Sequence, residues 1–363
     1  MVRIGGRSNM ANASARAKAR KASLIDSTRM RQLLQQSPDA IGTSISEFGY
    51  RSEIDLYASR YSGADLIEAA LNHNLDSDFD SVLRFCQGDL KSMVAVYVER
   101  FSYQNAKTVL RAIHSGASVE MVASEVLPEE NSNNNYWLDI IRNCNTLGDA
   151  VNAMSGTSWG LALSRLDADS NLQQMEDALD SGYYNDAIAS IRGSGCHPLL
   201  VRYIRNEIDH RNIINQFRGL RQGIAGEERD AIMIHGGKID KAALKAASQA
   251  ESNEALLDAL RRASSFDDTG FEEALQASSI SLDPVVTLLQ EQRRNMMRRF
   301  AYLNPISAFP VIHYIESKVL EVQNIRLLVR GKAAGLSDEV IDCLLYTSPS
   351  PRDVEEARMP SSA

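Results

Sequence analysis

The amino-acid sequence predicts an all-α fold, for three reasons. First, hydrophobic residues make up 44% of the 363 residues, so the chain can bury a substantial core. Second, aromatic residues are only 6% of the chain and runs of alternating β-branched residues are few, which favours helix over strand. Third, apolar residues recur at helical spacing in long segments that end in glycine, such as 203–227.

The composition argues against several classes of function. The net charge is −8 and the isoelectric point is near 5.4, whereas a nucleic-acid binder needs an excess of Lys and Arg over a whole face. The four cysteines have no CxxC spacing, so we expect neither a disulfide framework nor a zinc site. Charged residues interrupt every apolar run before it reaches the roughly 18 residues that a membrane-spanning helix needs.

The two ends differ from the rest of the chain. The first 25 residues contain six basic residues and no acidic one, a composition that is also typical of organelle transit peptides. We expect a disordered basic lead at 1–12 and a basic helix that begins near Ala11. At the other end, residues 346–363 are rich in Ser and Pro, so we expect a disordered or non-native tail outside the fold.

A four-residue pattern occurs three times in the chain. Each copy reads Asn, five residues, Arg, four residues, Gly, three residues, Glu. The positions are Asn105, Arg111, Gly116 and Glu120, then Asn212, Arg218, Gly223 and Glu227, then Asn324, Arg330, Gly335 and Glu339. The copies are 107 and 112 residues apart, which suits three similar helical modules rather than a short helical repeat. We place these modules at 13–130, 131–235 and 236–345, and we interpret the Asn-rich stretch after Leu127 as an exposed loop between the first two.

Helical geometry explains the repeated spacing. The positions one and five after each Asn are apolar, and residues four apart lie on the same face of a helix. Ser102 and Asp209, three residues before their Asn, are N-cap residue types, so we expect a helix to restart there. The glycine suits a left-handed cap that ends the helix, and the Glu falls in the first turn of the next helix. We expect the three arginines to join modules or to pair with acids.

The stretch EIDH at 207–210 raises the question of a metal site. Glu207 and His210 form an ExxH pair, which supplies ligands in di-iron helical bundles. Such a site needs a second ExxH and two more Glu, and the sequence has no second ExxH. Glu207, Asp209 and His210 are therefore interpreted as structural residues, and we expect no metal or cofactor.

Other motifs match catalytic patterns only in part. GTSWG at 156–160 has the spacing of a nucleophile elbow, which would make Ser158 a nucleophile, but a helical pattern stands where the strand should precede it. Lys238 and Lys332 follow a glycine but lack the first glycine of a phosphate-binding loop. Cys196 and His197 are adjacent in sequence, and such neighbours rarely point at each other, so a turn is the favoured interpretation. We expect no catalytic residues.

Several segments together resemble a known family, the C subunits of archaeal A-type ATP synthases, which are related to the d subunits of vacuolar ATPases. The segments are SARAKARKASLI, YASRYSGADLIEAAL, ALDSGYYNDAIASI, YIRNEIDHRNIINQFRG, IHGGKID and YLNPISAFPVIHYIESKVLEVQNIRLLVRGKAAGLSDEVI. EVQNIRLLVRGKAAGL is the most specific part, and the resemblance covers about Ala13 to Ile341. Gln216 departs from the apolar residues at the matching positions of the other copies, Val109 and Leu328.

The resemblance implies a funnel-like assembly of three similar modules and a non-catalytic role in the central stalk. Proteins of this family couple the membrane rotor ring to the central shaft, for ion-driven ATP synthesis or ATP-driven ion pumping. The implied partners are rotor-ring proteolipid subunits and central-shaft subunits of the D and F type, in a complex with one copy of this chain. The implied location is the cytoplasmic face of an archaeal cell membrane, without insertion into the bilayer.

Two other classes of protein are weighed against this interpretation. The first is a free-standing helical scaffold that binds another protein, which would fail to bind rotor subunits. The second is a helical-bundle enzyme, which needs a clustered set of carboxylates and histidines that the sequence positions do not supply.

Overall fold

A computed structural model describes residues 8–167, 169–193, 197–279 and 281–345. The predicted all-α fold is confirmed, since about 75% of the described residues are helical and no β-strand occurs among them. Within those ranges no helix has both the length and the apolar character needed to cross a membrane. The expected tail at 346–363 and residues 1–7 of the expected lead lie outside the described residues.

Twenty α-helices are described, together with a π-helical turn at Ser46–Tyr50 and a 3-10 turn at Ser132–Asn134. In chain order they are α1 Met10–Ala22, α2 Ser27–Leu34, α3 Pro38–Ile45, α4 Arg51–Tyr57, α5 Gly63–Phe85, α6 Gly88–Val98, α7 Arg100–Ser115, α8 Val119–Glu125, α9 Asn135–Asn143, α10 Leu147–Ala153, α11 Ser158–Leu163, α12 Leu172–Gly193, α13 Pro198–Arg221, α14 Gly226–Ala231, α15 Lys241–Ser248, α16 Asn253–Arg261, α17 Phe271–Ala277, α18 Asp283–Leu303, α19 Phe309–Ala333 and α20 Asp338–Leu344. The basic helix begins at Met10, one residue before the expected start, so the last three residues of the expected lead are helical.

The chain divides into two compact units. The first comprises Met1–Ser8, Gln87–Arg111 and Thr146–Pro305, and the second comprises Asn9–Cys86, Ala112–Asn145 and Ile306–Ala363. These units do not coincide with the three modules expected at 13–130, 131–235 and 236–345, and the modules stay a prediction.

In the first unit, α13 is the central helix. It packs against α12, α14, α16 and α18, and α18 also packs against α17. The apolar face of α13 contributes Ile213 and Phe217 to a core that includes Phe271 of α17 and Leu256 of α16.

The start of α13 is fixed by two residues. Pro198 occupies the first helical position, and the His197 side chain accepts a hydrogen bond from Leu199 N at 3.3 Å.

In the second unit, α19 is the central helix. It packs against α1, α2, α3, α5 and α20. Its buried residues Ile325 and Val329 share a core with Ile41 of α3, Ile67 of α5 and Ile341 of α20. A 25-residue helix that is covered on most sides needs apolar residues around much of its circumference, which explains why this part of the sequence has little polar periodicity.

The helix restart expected at Asp209 is wrong, whereas the one expected at Ser102 occurs two residues earlier, because α6 ends at Val98 and α7 begins at Arg100. Ser102 is the third residue of α7, and Asp209 lies in the middle of the 24-residue helix α13. The N-cap preference of these residue types is weak compared with the packing of a continuous apolar face. Asp209 instead binds backbone groups outside its own helix.

The three repeated glycines take the left-handed backbone conformation, with φ of +69° at Gly116, +70° at Gly223 and +74° at Gly335. Each one follows the end of a helix, α7, α13 or α19. The residue after each glycine donates its backbone N–H back to a carbonyl five residues earlier, which with the shorter bond from the glycine N–H makes a Schellman motif. These longer bonds are Ala117 N to Ala112 O, Ile224 N to Gly219 O and Leu336 N to Gly331 O, each at 2.9 Å.

Replacing Gly223 by Val should lower the free energy of unfolding by about 1–2 kcal/mol, because a β-branched residue in the left-handed region is strained. A Cβ at this position would have no other atom within 4 Å, so the loss should come from the backbone conformation and not from a clash. Urea denaturation measures the change.

The matched control is Gly148→Ala in α10, where the added Cβ would lie 3.8 Å from Thr146 Oγ1, an ordinary contact, and φ is not positive. Alanine is the better helix former there, so stability should be unchanged or slightly higher. An equal loss for both variants, or no loss for Gly223→Val, would remove the cap argument.

Candidate functional site

The repeated arginines do not share one environment. The Arg111 guanidinium makes two parallel hydrogen bonds to the Glu176 carboxylate, at 2.6 and 2.7 Å. Arg330 is paired with Glu68, which is only 3% exposed and also accepts from Arg326 Nε at 3.0 Å. Arg218 is exposed. Two of the three arginines therefore pair with acids from other helices.

The repeated asparagines differ as well. Asn212 is fully buried and binds the backbone of Ile234 in both directions, with its Nδ2 donating to Ile234 O at 2.8 Å and its Oδ1 accepting from Ile234 N at 2.9 Å. Asn324 is also buried, whereas Asn105 is partly exposed. Asn212 thus fixes the chain that follows α14. The repeated acids Glu120, Glu227 and Glu339 all lie in the first turn of the next helix.

Glu207 of the EIDH stretch is the centre of a buried ionic network in the first unit. Its two carboxylate oxygens accept from Arg100 Nη1 at 2.7 Å and Nη2 at 3.1 Å, and Arg293 Nη1 of α18 donates to the same carboxylate at 2.9 Å. The Arg100 guanidinium also lies 3.7 Å from the centre of the Tyr97 ring and donates to the Tyr183 hydroxyl at 3.1 Å. The network joins α7, α12, α13 and α18.

Two positively charged guanidinium groups bind the single Glu207 carboxylate in this network. Burial by itself would raise the pKa of Glu207, but the positive charges of Arg100 and Arg293 outweigh burial and lower it. Glu207 is only 4% exposed, so it is a buried carboxylate neutralised by two guanidinium groups. Removing it would take away the carboxylate that neutralises Arg100 and Arg293 in a poorly solvated place.

Asp209 and His210 bind different groups of the protein: Asp209 binds backbone N–H groups, and His210 binds a side-chain amide. The Asp209 carboxylate accepts from the backbone N–H of Lys238 at 2.8 Å and of Ile239 at 3.1 Å, so it caps the turn that precedes α15. His210 Nε2 lies 2.9 Å from Asn206 Nδ2, and burial lowers the pKa of His210 to about 4, with Arg293 contributing. His210 is therefore neutral at pH 7.

A second buried network lies at the centre of the second unit. The Tyr50 hydroxyl donates to Glu321 Oε1 at 2.6 Å, and Lys318 Nζ binds the same Glu321 oxygen at 2.9 Å and the Tyr50 hydroxyl at 2.7 Å. The other Glu321 oxygen accepts from the Ile25 backbone N–H at 2.6 Å. Burial, together with the charge of Glu321, raises the pKa of Tyr50, so the phenol stays protonated. The chain between α1 and α2, the π-helical turn and α19 are joined here.

Sequence reasoning missed this second network. Lys318 and Glu321 are three residues apart on one helix, which is the spacing of an ion pair, and that signal was available. Tyr50 and Ile25 could not be found in this way, because they are 271 and 296 residues from Glu321 in the chain.

The expectation that the Asn-rich stretch is an exposed loop is correct only in part, since Ser132, Asn133 and Asn135 are exposed but Asn131 and Asn134 are buried. Asn131 is 7% exposed and Asn134 is 1% exposed. Asn131 Nδ2 donates to Asp76 of α5 at 2.9 Å, Asn133 Nδ2 donates to Asp80 at 2.6 Å, and Asn134 Nδ2 donates to Pro128 O at 3.0 Å. The amides therefore fasten this turn to α5. An Asn cluster is typical of loops by composition, and only the distant carboxylates explain its burial.

The GTSWG stretch is the start of a helix. α10 precedes it, Gly156 has φ of +84°, and the Thr157 hydroxyl caps α11 by accepting from Gly160 N at 3.0 Å. Ser158 Oγ donates to Glu99 Oε1 at 3.1 Å. No strand leads into the turn, so the geometry of a nucleophile elbow is lacking.

The remaining candidate residues are accounted for where they are described. Cys196 lies outside the described residues, whereas His197 caps α13. Lys332 pairs with Asp338 at 2.8 Å, and Lys238 contributes its backbone N–H to Asp209. Throughout the described ranges, no three His, Cys, Asp or Glu side chains lie close enough together to form a metal site.

The fold and these networks define a helical structural protein, in which buried charged side chains join helices to each other. Comparison with known proteins gives the family: residues 13–343 match the ATP synthase (C/AC39) subunit family, and the chain belongs to it. Membership makes it a structural subunit of an ATP synthase complex that is not itself catalytic.

Curated relatives agree over nearly their whole length. The chain is 34% identical to the A-type ATP synthase C subunit of Haloquadratum walsbyi over 346 residues, which are 92% of this chain and 97% of the relative. It is 31% identical to the A-type ATP synthase C subunit of Methanosarcina acetivorans, over 93% of this chain and 92% of the relative. The equally named protein of Haloferax volcanii is 29% identical, over 94% of this chain and 98% of the relative.

Replacing Glu207 by Gln should destabilise the protein by about 3–5 kcal/mol at pH 7, because Arg100 and Arg293, whose side chains are only 12% and 30% exposed, would lose the carboxylate that neutralises them. The pKa of Glu207 is lowered by folding, so its contribution is complete above the unfolded pKa and is lost as the pH falls through the folded pKa. The difference between wild type and variant in urea denaturation should therefore shrink in acid. Glu251→Gln, an exposed position, is the control and should change little; equal midpoints for both variants would contradict the network's role.

Replacing Asp76 by Asn should make the protein more stable above pH 6. Burial raises the pKa of Asp76 to about 6, so the native state favours the protonated carboxyl, and wild-type stability falls as the pH rises from the unfolded pKa of about 4 through 6. Asn keeps an acceptor for Asn131 and does not titrate, and its advantage should reach on the order of 2 kcal/mol. Thermal unfolding at pH 4.5 and 7.5 measures it, beside Asp55→Asn, an exposed control. A variant advantage that is the same at both pH values would contradict the shift.

Proposed function

We propose that this chain is a non-catalytic component of the central stalk of a rotary A/V-type ATP synthase, where it couples rotation of the membrane rotor ring to the central shaft. The observation that carries the proposal is the family match over residues 13–343, which spans almost all of the described chain. Coupling of this kind serves ion-driven ATP synthesis or ATP-driven ion pumping.

The buried ionic networks support a coupling role. A part that transmits torque has to resist bending, and resistance comes from close packing and from interactions that act only in one geometry. Glu207 fixes four helices of the first unit to one another, and Glu321 fixes three segments of the second. Each is a bidentate or multiple charge-assisted interaction that a small displacement would break.

The proposed partners are the rotor-ring proteolipid subunits and the central-shaft subunits of the D and F type, in a complex that contains one copy of this chain. We place the chain on the cytoplasmic face of the cell membrane, bound to the ring end and not inserted in the bilayer. Interfaces of such an assembly are expected to be about as polar as the rest of the surface.

The arrangement of three similar modules into a funnel-like body is also part of the proposal. It rests on the resemblance and on the repeated positions, at which α7, α13 and α19 end in the same turn. The modules proposed at 13–130, 131–235 and 236–345 would each contribute one such helix.

Reconstitution tests the proposed function. The full chain is mixed with purified shaft subunits and with detergent-solubilised rotor ring from an archaeal ATP synthase of the same source, and size-exclusion chromatography separates the complexes. We expect one stable complex that contains all three components, and weaker pairwise complexes. A folded, helical chain that binds neither component would contradict the proposal and would favour a helical scaffold for another protein.

A further inference from the structure

The last two turns of α18 present an exposed basic and apolar face. Arg298, Arg299, Tyr302 and Leu303 are spaced three and four residues apart, so they share one side of the helix. All four are exposed, and Tyr302 and Leu303 reach 68% and 59% exposure. The opposite side of the helix is buried through residues such as Phe300.

The two arginines carry charge that no acidic residue in the described part of the chain neutralises through an ion pair. Neither Arg298 nor Arg299 forms an ion pair with any residue that the structure describes. Glu291 on the same side of α18 is seven residues away from Arg298, about 10 Å along the axis. In a chain of net charge −8, this face is a local concentration of positive charge.

Helix stability alone does not account for these residues. Cations stabilise a helix within its last turn, and the last turn of α18 contains no basic residue. Arg and Tyr are, however, the residue types that are enriched in the parts of protein interfaces that contribute most to binding.

We propose that this face, formed by Arg298, Arg299, Tyr302 and Leu303, binds an acidic and partly apolar helix of another component of the complex, an inference that rests on the proposed function. The two guanidinium groups would pair with carboxylates about one turn apart, and Tyr302 and Leu303 would pack against apolar residues beside them. An anionic membrane surface is the less favoured partner, because two basic residues are too few to attach a protein stably to a membrane.

Charge reversal with a matched control tests the proposal. The test variant is Arg298→Glu with Arg299→Glu, and the control is Arg202→Glu with Arg262→Glu, two exposed arginines of the same unit outside α18. Both variants lower the net charge by the same amount, so they differ only in the face that they change. Circular dichroism and the unfolding temperature should match wild type for both, because all four positions are exposed; if the glutamates disturb folding, Arg298→Gln with Arg299→Gln replaces them.

Binding is measured with three probes: the purified shaft and ring components, a synthetic amphipathic peptide of Leu and Glu, and vesicles that contain phosphatidylserine. For the components and the peptide, the test variant should bind about tenfold more weakly than wild type at 0.1 M salt, and the control within about twofold. Wild-type affinity should also fall as salt is added, because exposed charges are screened. Tyr302→Ser with Leu303→Ser should weaken binding by a similar factor, and its affinity should fall with added salt as steeply as that of wild type.

The outcomes separate this inference from the proposed function. If the components bind wild type and the test variant equally, the function stands and this face is not the docking site. If the components do not bind wild type at all, the proposed function fails, and the peptide decides the inference. Peptide binding that only the test variant loses supports the face, whereas equal peptide binding by the test and control variants overturns it. Vesicle binding that only the test variant loses would assign the face to lipid instead and would overturn the proposal.

Discussion

A carboxylate buried in the middle of a long helix is costly unless nearby cations or hydrogen-bond donors satisfy it. Glu207 is such a group: α13 carries it into the first unit, and Arg100 and Arg293 reach it from α7 and α18. Because an unpaired buried charge costs several kcal/mol, helices that depart from this arrangement lose the pairing and are disfavoured. The positions of the surrounding helices, including the basic and apolar end of α18, depend on this requirement.

The second unit meets the same requirement with different residues. Glu321 is neutralised by Lys318 on its own helix, and its remaining hydrogen bonds go to the Tyr50 hydroxyl and to the Ile25 N–H. Glu68 is paired with Arg330 and Arg326 in the same unit. Both units thus place an acid on a helix that is largely surrounded by others. A protein that transmits force between two moving parts would benefit from interactions of this kind, since they allow little sliding between helices.

The same type of turn follows α7, α13 and α19, but the residues that surround it differ. After α13 and α19, the helix residue that accepts the longer turn bond is a glycine, Gly219 or Gly331, and a Cβ on either would approach the next helix within about 3 Å, at Arg229 or Ile341. After α7 the same place holds Ala112.

Gln216, which departs from the apolar residues at the matching positions, is buried and donates to Arg229 O at 2.9 Å. The departure therefore fits a polar contact that the other copies do not make.

The sequence by itself determined the helical class, the long helical segments and the three left-handed glycines, because these follow from local spacing and from backbone sterics. It also determined that EIDH and GTSWG lack the companions that a metal site or a nucleophile elbow requires. Only the tertiary structure decided that α13 runs unbroken through Asp209, that Asn131 is buried against Asp76, and that Glu207, Tyr50 and Glu321 form networks. The physical reason is that each of these depends on partners tens to hundreds of residues away, and a short sequence pattern carries no information about which distant group will approach.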